Sequence, residues 1–222
     1  MPVLCYHRIR NFKRGGGLKD YEVTPAAFAE QMQALADSGY KTILPAELYN
    51  YLTSVAPIPK KPVMITFDDT HLEQFTIGAT EMNKHGFKAV YFLQAISIER
   101  PRYMSKEQIK QLADEGHEIA GHTWDHQKAT DYTDADWNKQ FTEANKKIER
   151  ISGKPVEYFA CHFGLWNKEA ILELKQQRAK FAFQLSAKCD SAEPLYTIRR
   201  MPVPGTWSTT GLLKAMKTKF PY

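Results

Sequence analysis

Short apolar runs alternate with helical patterns along the whole chain, and no other feature constrains its fold as tightly. Strands joined through helices pair in parallel, and a parallel sheet must have its faces covered by those helices. The candidate strands are residues 3–6, 41–44, 63–67, 88–93, 118–120, 158–160, 181–184 and 196–199. Between them the helix starts are legible. Thr24-Pro25 supplies a capping side chain and a proline at the first helical position, ahead of Phe28, Met32 and Leu35 at helical spacing. Ser105-Lys106-Glu107-Gln108 is a capping box that opens a helix through Ile109 and Leu112, with Gly116 to end it. Thr133 and Asn167 read as caps of two further helices. Residues 11–17, with Gly15, Gly16 and Gly17 in succession, read as a mobile loop. With no internal repeat, low-complexity tract or linker, the 222 residues are expected to form a single α/β domain large enough for one barrel.

The net charge of +5 is spread over predicted helices and not gathered into a stripe, so a nucleic-acid partner is not expected. No apolar run reaches the ~18 residues of a membrane span. Cys5, Cys161 and Cys189 lack CxxC spacing and are odd in number, so they are expected to be free thiols, neither a disulfide framework nor a structural zinc site. A monomer is expected.

In parallel α/β folds, reactive groups collect where strands end and loops begin. Asp68-Asp69 closes the run 63–67, and His122 follows 118–120, with Gly121 read as permitting a sharp turn. His162, Phe163 and Gly164 follow 158–160, and His7 follows the first strand. An aspartate pair alone is usually a turn or cap, and HxxxH alone is usually a solvated helix face. At the ends of consecutive strands the two together point to metal-assisted hydrolysis. His122 and His126, four apart, are expected on one face of a helical turn, where they can hold one ion. One carboxylate of the pair completes the set. The other diverges from it and is left to act as a base. Asp125, between the histidines, is expected to be solvated. Trp124, Trp166, Trp207 and Tyr103 are ordinary packing residues taken singly, but rings beside a metal site also suit sugar faces, and Trp166 is the first choice for a groove wall.

Thr66-Phe67-Asp68-Asp69 followed by His122-Thr123-Trp124-Asp125-His126 resembles the first two motifs of the polysaccharide deacetylases with a NodB-type domain, carbohydrate esterase family 4. Tyr6-His7-Arg8-Ile9 resembles the opening of the branch that deacetylates poly-N-acetylglucosamine, in which the last family motif is moved to the N-terminus. Residues 158–167 resemble the third motif, one wall of the substrate groove. The resemblance extends over most of the chain. It implies a distorted, incomplete (β/α) barrel of about seven strands, one short of the closed form. It also implies one divalent ion, zinc first and cobalt or nickel as alternatives, held by Asp69, His122 and His126. Asp68 would be the general base and His7 the general acid, with a core histidine as the bland alternative for His7. A backbone N–H near Cys161-His162 would help to stabilise the oxyanion. His162, Phe163, Gly164 and Trp166 would contact an acetylated carbohydrate, from which an N-acetyl (less often O-acetyl) group leaves as acetate. Such enzymes act outside the cytoplasm, although this chain opens on a strand with no charged segment or signal peptide ahead of it.

Three departures stand out. Thr70 occupies the place of a glycine, which implies an altered turn. His162 stands where proline is common. The arginine that orients the base is absent near Ala160, leaving His162, Arg199 or Arg200 as candidates to replace it. These changes raise the alternative of a carbohydrate-binding relative with a weakened site. Retention of Asp68, Asp69, His122 and His126 speaks against it, because a binding module has no need for all four.

Overall fold

The computed structural model describes residues 1–11, 21–54, 56–185 and 187–221. The chain begins with β1 (Val3–Tyr6), a small parallel pair β2 (Arg8–Ile9) and β3 (Glu22–Val23), then α1 (Pro25–Asp37), β4 (Lys41–Thr42) and α2 (Pro45–Ser54). Next come β5 (Pro62–Asp68), a π-helical segment Gln74–Ala79 running into α3 (Thr80–Asn83), β6 (Val90–Leu93), α4 (Lys106–Asp114) and β7 (Glu118–Gly121). The rest is α5 (Asp134–Trp137), a π-helical segment Asn138–Glu143, α6 (Ala144–Ser152), β8 (Tyr158–Ala160), α7 (Lys168–Gln176), β9 (Phe181–Phe183), β10 (Met201–Pro202) and α8 (Thr209–Lys219). Most of the expected glycine loop, residues 12–17, lies outside the described residues.

Seven strands pair in the order β10–β1–β5–β6–β7–β8–β9, with β4 added beside the start of β5, and every pairing is parallel. Every residue of β5 is buried, as expected of a strand covered on both faces. Alternation along the strands sorts the side chains. Leu4, Tyr6, Ile65, Phe67, Tyr91, Leu93 and Ile119 meet Phe28, Met32, Ile109 and Leu112 of the surrounding helices. Val3, Met64, Val90, Phe92, Ala120, Tyr158, Phe181 and Phe183 form a second cluster on the opposite face. Phe92 of β6 and Phe183 of β9 have ring centroids 5.2 Å apart. In a flat sheet those strands would be about 14 Å apart. The sheet is therefore curled into a distorted, incomplete barrel with its own interior.

The caps form where expected. Thr24 Oγ1 accepts the Ala27 N–H at 3.2 Å, and Ser105 and Gln108 exchange both bonds of a capping box. Two local expectations are corrected. Residues 196–199 do not form a strand: Ile198 makes one bridge to Phe183, and Thr197 Oγ1 is tied into a turn by the Asp190 N–H and Glu193 carbonyl, both at 2.8 Å. Pairing with β1 begins only at Met201. Gly121 is not a turn residue either. It lies in β7, where a Cβ would come within 2.6 Å of Asn145 Oδ1, so its smallness lets α6 approach.

Burial pushes the carboxyl of Glu118, at the start of β7, up to about 7; Glu157 adds to the shift and Lys154 and Lys180 oppose it. An acid whose folded pKa is raised favours the folded state while protonated, and that advantage disappears as pH climbs from its ordinary value toward 7. Glu118→Gln is expected to raise stability at pH 8 by about 1–2 kcal/mol, after allowance for solvent screening, and to change little at pH 4. Urea unfolding at the two pH values checks this. An equal effect at both would show that Glu118 is ionised without penalty.

Candidate active site

Asp68 is the last residue of β5, and Asp69 and Thr70 follow it with φ of 77° and 65°. Two successive left-handed residues turn the chain sharply, leaving Asp68 pointing into the barrel interior and bringing Asp69 onto the rim. Thr70 adopts, at a steric cost, backbone that glycine adopts freely. Its hydroxyl accepts the Gln94 N–H at 2.8 Å, which anchors the turn to the end of β6.

Arg200 grips Asp68 through both oxygens, Nη1 donating to Oδ1 at 2.6 Å and Nη2 to Oδ2 at 2.8 Å. The guanidinium is 0% exposed, and its remaining donors reach the Gln184 carbonyl at 3.1 Å and Thr66 Oγ1 at 3.3 Å. Of the candidates to replace the missing arginine, Arg200 is the one that reaches Asp68, while Arg199 turns away to the Lys219 carbonyl. Burial alone would raise the Asp68 carboxyl. The Arg200 guanidinium, with His122 and His7, outweighs burial and holds it below the ordinary carboxylate range.

Asp69 Oδ1 lies 3.6 Å from His122 Nε2 and 3.2 Å from His126 Nε2, yet it is buried and makes no hydrogen bond of good geometry. A tetrahedral ion with ligands at ~2.0–2.1 Å separates neighbouring ligand atoms by about 3.3 Å. Both Asp69 distances lie near that spacing, and one nitrogen of His122 falls within 4.8 Å of one of His126. His122 Nδ1 is 2.8 Å from the Ala160 carbonyl and is assigned as the donor, which leaves the Nε2 lone pair facing Asp69. Burial holds His122 below the ordinary imidazole range, a neutral state suited to ligation.

The histidine pair does not sit on a helical turn. Thr123 and His126 have φ of 61° and 75°, and the loop is fastened by Thr123 Oγ1, which accepts the His126 N–H at 3.2 Å. Asp125 is not simply solvated: Gln140 donates to its Oδ1 at 2.8 Å, and Gln140 Oε1 accepts the Trp124 N–H at 3.1 Å. Gln140, Gln74 and His71 are absent from the sequence-level expectations. Gln74 donates to the His7 carbonyl at 2.7 Å and also to that of Asp68, tying the ends of β1 and β5 together. His71 lies beside Asp69 with its ring stacked on Tyr103. Only the nearness of His71 to the aspartate pair could have signalled any of these.

A cavity of about 280 Å³ opens over the aspartates, and His7, Tyr21, His71, Phe163 and Leu185 are among its walls. His7 Nε2 is 3.8 Å from Asp68 Oδ2 and its ring packs edge-on against Tyr21. Burial holds this imidazole below its ordinary range, with Asp68 and Asp69 opposing. His162 is fully buried with its ring stacked on His122, and Phe163, 56% exposed, lines the cavity with Lys128 Nζ 6.0 Å over its ring. Trp166 lies apart from the cavity walls. Its indole donates to Gln184 Oε1 at 3.1 Å, and the ring packs on the cluster around Trp137 and Phe141. Trp124 is covered by Lys139, whose Nζ is 3.7 Å from the ring centre. Of the groups singled out from sequence, His7, Asp68, Asp69, His122, His126, His162 and Phe163 come together.

Gly164 has φ of +70°, and a Cβ there would lie 2.6 Å from the Leu185 backbone nitrogen. Gly164→Ala is expected to cost about 1–3 kcal/mol, because backbone cannot yield as a side-chain tip can. Denaturant unfolding measures it, and a loss below ~0.5 kcal/mol would show that the turn relaxes freely.

Comparison with known proteins gives the family and the fold. The polysaccharide deacetylase family profile matches residues 56–182. The chain is 28% identical over 171 residues to the Bacillus subtilis protein YxkH, covering 77% of this chain and 59% of that one. It is 26% identical over 145 residues to a Bacillus cereus peptidoglycan-N-acetylglucosamine deacetylase, covering 65% and 51%. The chain thus spans little more than half the length of these relatives. The structure of the Streptococcus pyogenes deacetylase PplD, in complex with acetate, superposes with a TM-score of 0.89 at 20% identity over 97% of both chains, a likeness of fold.

Proposed function

The chain belongs to the polysaccharide deacetylase family, and we propose on that premise that it is a metal-dependent hydrolase removing N-acetyl groups from a carbohydrate. The observation that carries this is one cavity floor holding both an arginine-clamped, ionised Asp68 and the Asp69–His122–His126 cluster. Asp69, His122 and His126 would hold the ion, zinc first, with cobalt or nickel acceptable to the same ligands. Bound there, a divalent ion supplies Lewis acidity to the acetyl carbonyl and lowers the pKa of water.

The remaining work falls to the chain itself. Asp68 accepts the proton of the attacking water, and Arg200 fixes the orientation of its oxygens and keeps them ionised. The proton that Asp68 takes from the water passes to His7, 3.8 Å away with its imidazole held by burial below the ordinary range, and His7 delivers it to the departing amine nitrogen, so that acetate and a free amine result. The Cys161 N–H is committed to the Phe183 carbonyl at 2.8 Å, so any backbone help to the oxyanion at this turn comes from the His162 N–H. Tyr21 and Phe163 offer rings at the mouth for the apolar faces of a sugar. Likeness to a deacetylase of peptidoglycan N-acetylglucosamine supports the substrate class, and action outside the cytoplasm is proposed from the family resemblance. Among the described residues no helix is long and apolar enough to cross a membrane. Incubation of the zinc-loaded protein with N-acetylglucosamine oligomers, with assay of acetate and free amine, tests the proposal. The expected result is equal release of both. Release of neither, from any N- or O-acetylated oligosaccharide tried, would contradict it.

A further inference from the structure

His162 is fully buried, and neither of its ring nitrogens has a hydrogen-bond partner. Burying a polar ring without partners is costly, and a phenylalanine or leucine would fill the same space without that cost. His117, another buried histidine, at least accepts the Ala89 N–H through Nδ1 at 3.1 Å. The surroundings of His162 are themselves unusual for packing. Its ring centroid lies 3.7 Å from that of His122 and 4.0 Å from that of His126, and one nitrogen from each of the three falls within 4.8 Å of the others. The backbone is bent to put it there, with Phe163 at φ 56° and Gly164 at φ +70° immediately after it.

We infer that His162 is a further ligand of the metal site, so that the ion is held by three imidazoles and one carboxylate. The inference rests on the metal-site proposal above and extends it with a residue that stands where the related motif commonly has proline, which cannot ligate. One of the two buried nitrogens with no protein partner is accounted for if it faces an ion. No carboxylate or carbonyl orients His162 as a proton donor. The His122 and His162 rings are stacked 20° from parallel, so they would have to reorient for both lone pairs to meet one ion. Loss of this ligand should weaken metal binding by at least the ~10–100-fold that loss of an outer-shell partner alone brings.

X-ray absorption on the zinc-loaded wild-type protein tests this directly, since outer-shell scattering counts coordinated imidazoles. Three imidazoles are expected, falling to two in His162→Gln, whose zinc dissociation constant should rise at least ~10-fold while the apo protein unfolds as wild type does. Should His162→Gln fail to fold, the wild-type count decides alone. Two imidazoles in wild type at full zinc occupancy overturn the inference and leave the proposed metal site standing. Failure of wild type to take up zinc, cobalt or nickel overturns both.

Discussion

Asp68→Asn is expected to retain bound zinc yet lose turnover by ~10²–10⁴-fold, the scale of general-base catalysis. Asp68 is buried, gripped by Arg200 through both oxygens, and lines the cavity with Oδ2 3.8 Å from His7 Nε2. It sits 3.9 Å from His122 Nε2, farther than Asp69 and already committed to a guanidinium, so it is the poorer ligand of the two. Asp69→Asn should do the opposite and lower the affinity for the ion itself. Metal content and acetate release, measured on both variants, separate the roles. If Asp68→Asn emptied the site while Asp69→Asn left it filled, the two assignments would have to be exchanged.

Replacing Arg200 by methionine is expected to cost about 3–5 kcal/mol at pH 8, because it leaves Asp68 buried without its partner. The penalty should depend on pH in a definite direction. In the native protein the Asp68 pKa is depressed, so the pair contributes stability above the ordinary carboxylate pKa that is lost as pH falls through the folded value. Without Arg200, burial dominates and raises that pKa, so the variant can relieve the penalty by protonating Asp68. The gap between wild type and Arg200→Met should therefore narrow between pH 8 and pH 4, and activity should shift its acid limb upward. Arg200→Lys should recover charge but not the two-pronged grip, and so only part of the activity. Urea unfolding across pH checks this, and a gap independent of pH would mean that the pair contributes packing and no electrostatics.

Elements whose signals are local were legible in the sequence. Thr24-Pro25 and the Ser105–Gln108 box act within one helical turn, and the unbroken apolar run of β5 declares burial on both faces without reference to its neighbours. The residues of the aspartate pair and the two histidines were legible for the same reason. Their supports were not. The loop carrying His122 and His126 is held by Gln140, which reaches in from a helix and carries no motif. HxxxH spacing alone suggested a helical turn, and the left-handed Thr123 and His126 replaced it. Arg200 could be named only as one candidate among three. Its selection depends on the chain crossing from β9 to β1, a course set by the turn around Thr197. The strand placed at residues 196–199 was displaced by that same turn. Gly121 was read as a turn glycine because its close approach to Asn145 is a tertiary fact. Trp166 is drawn into the packing around Trp137 by its bond to Gln184, a residue eighteen positions away in sequence.

The most direct test of the one-metal account is reconstitution of activity. Protein stripped with chelator and assayed for acetate release from an N-acetylglucosamine oligomer should be inactive, and activity should rise with added zinc to a plateau at one equivalent per chain. Asp69→Asn should need much more zinc to respond. Full acetate release by the stripped protein, unchanged on adding zinc, cobalt or nickel, would contradict the account.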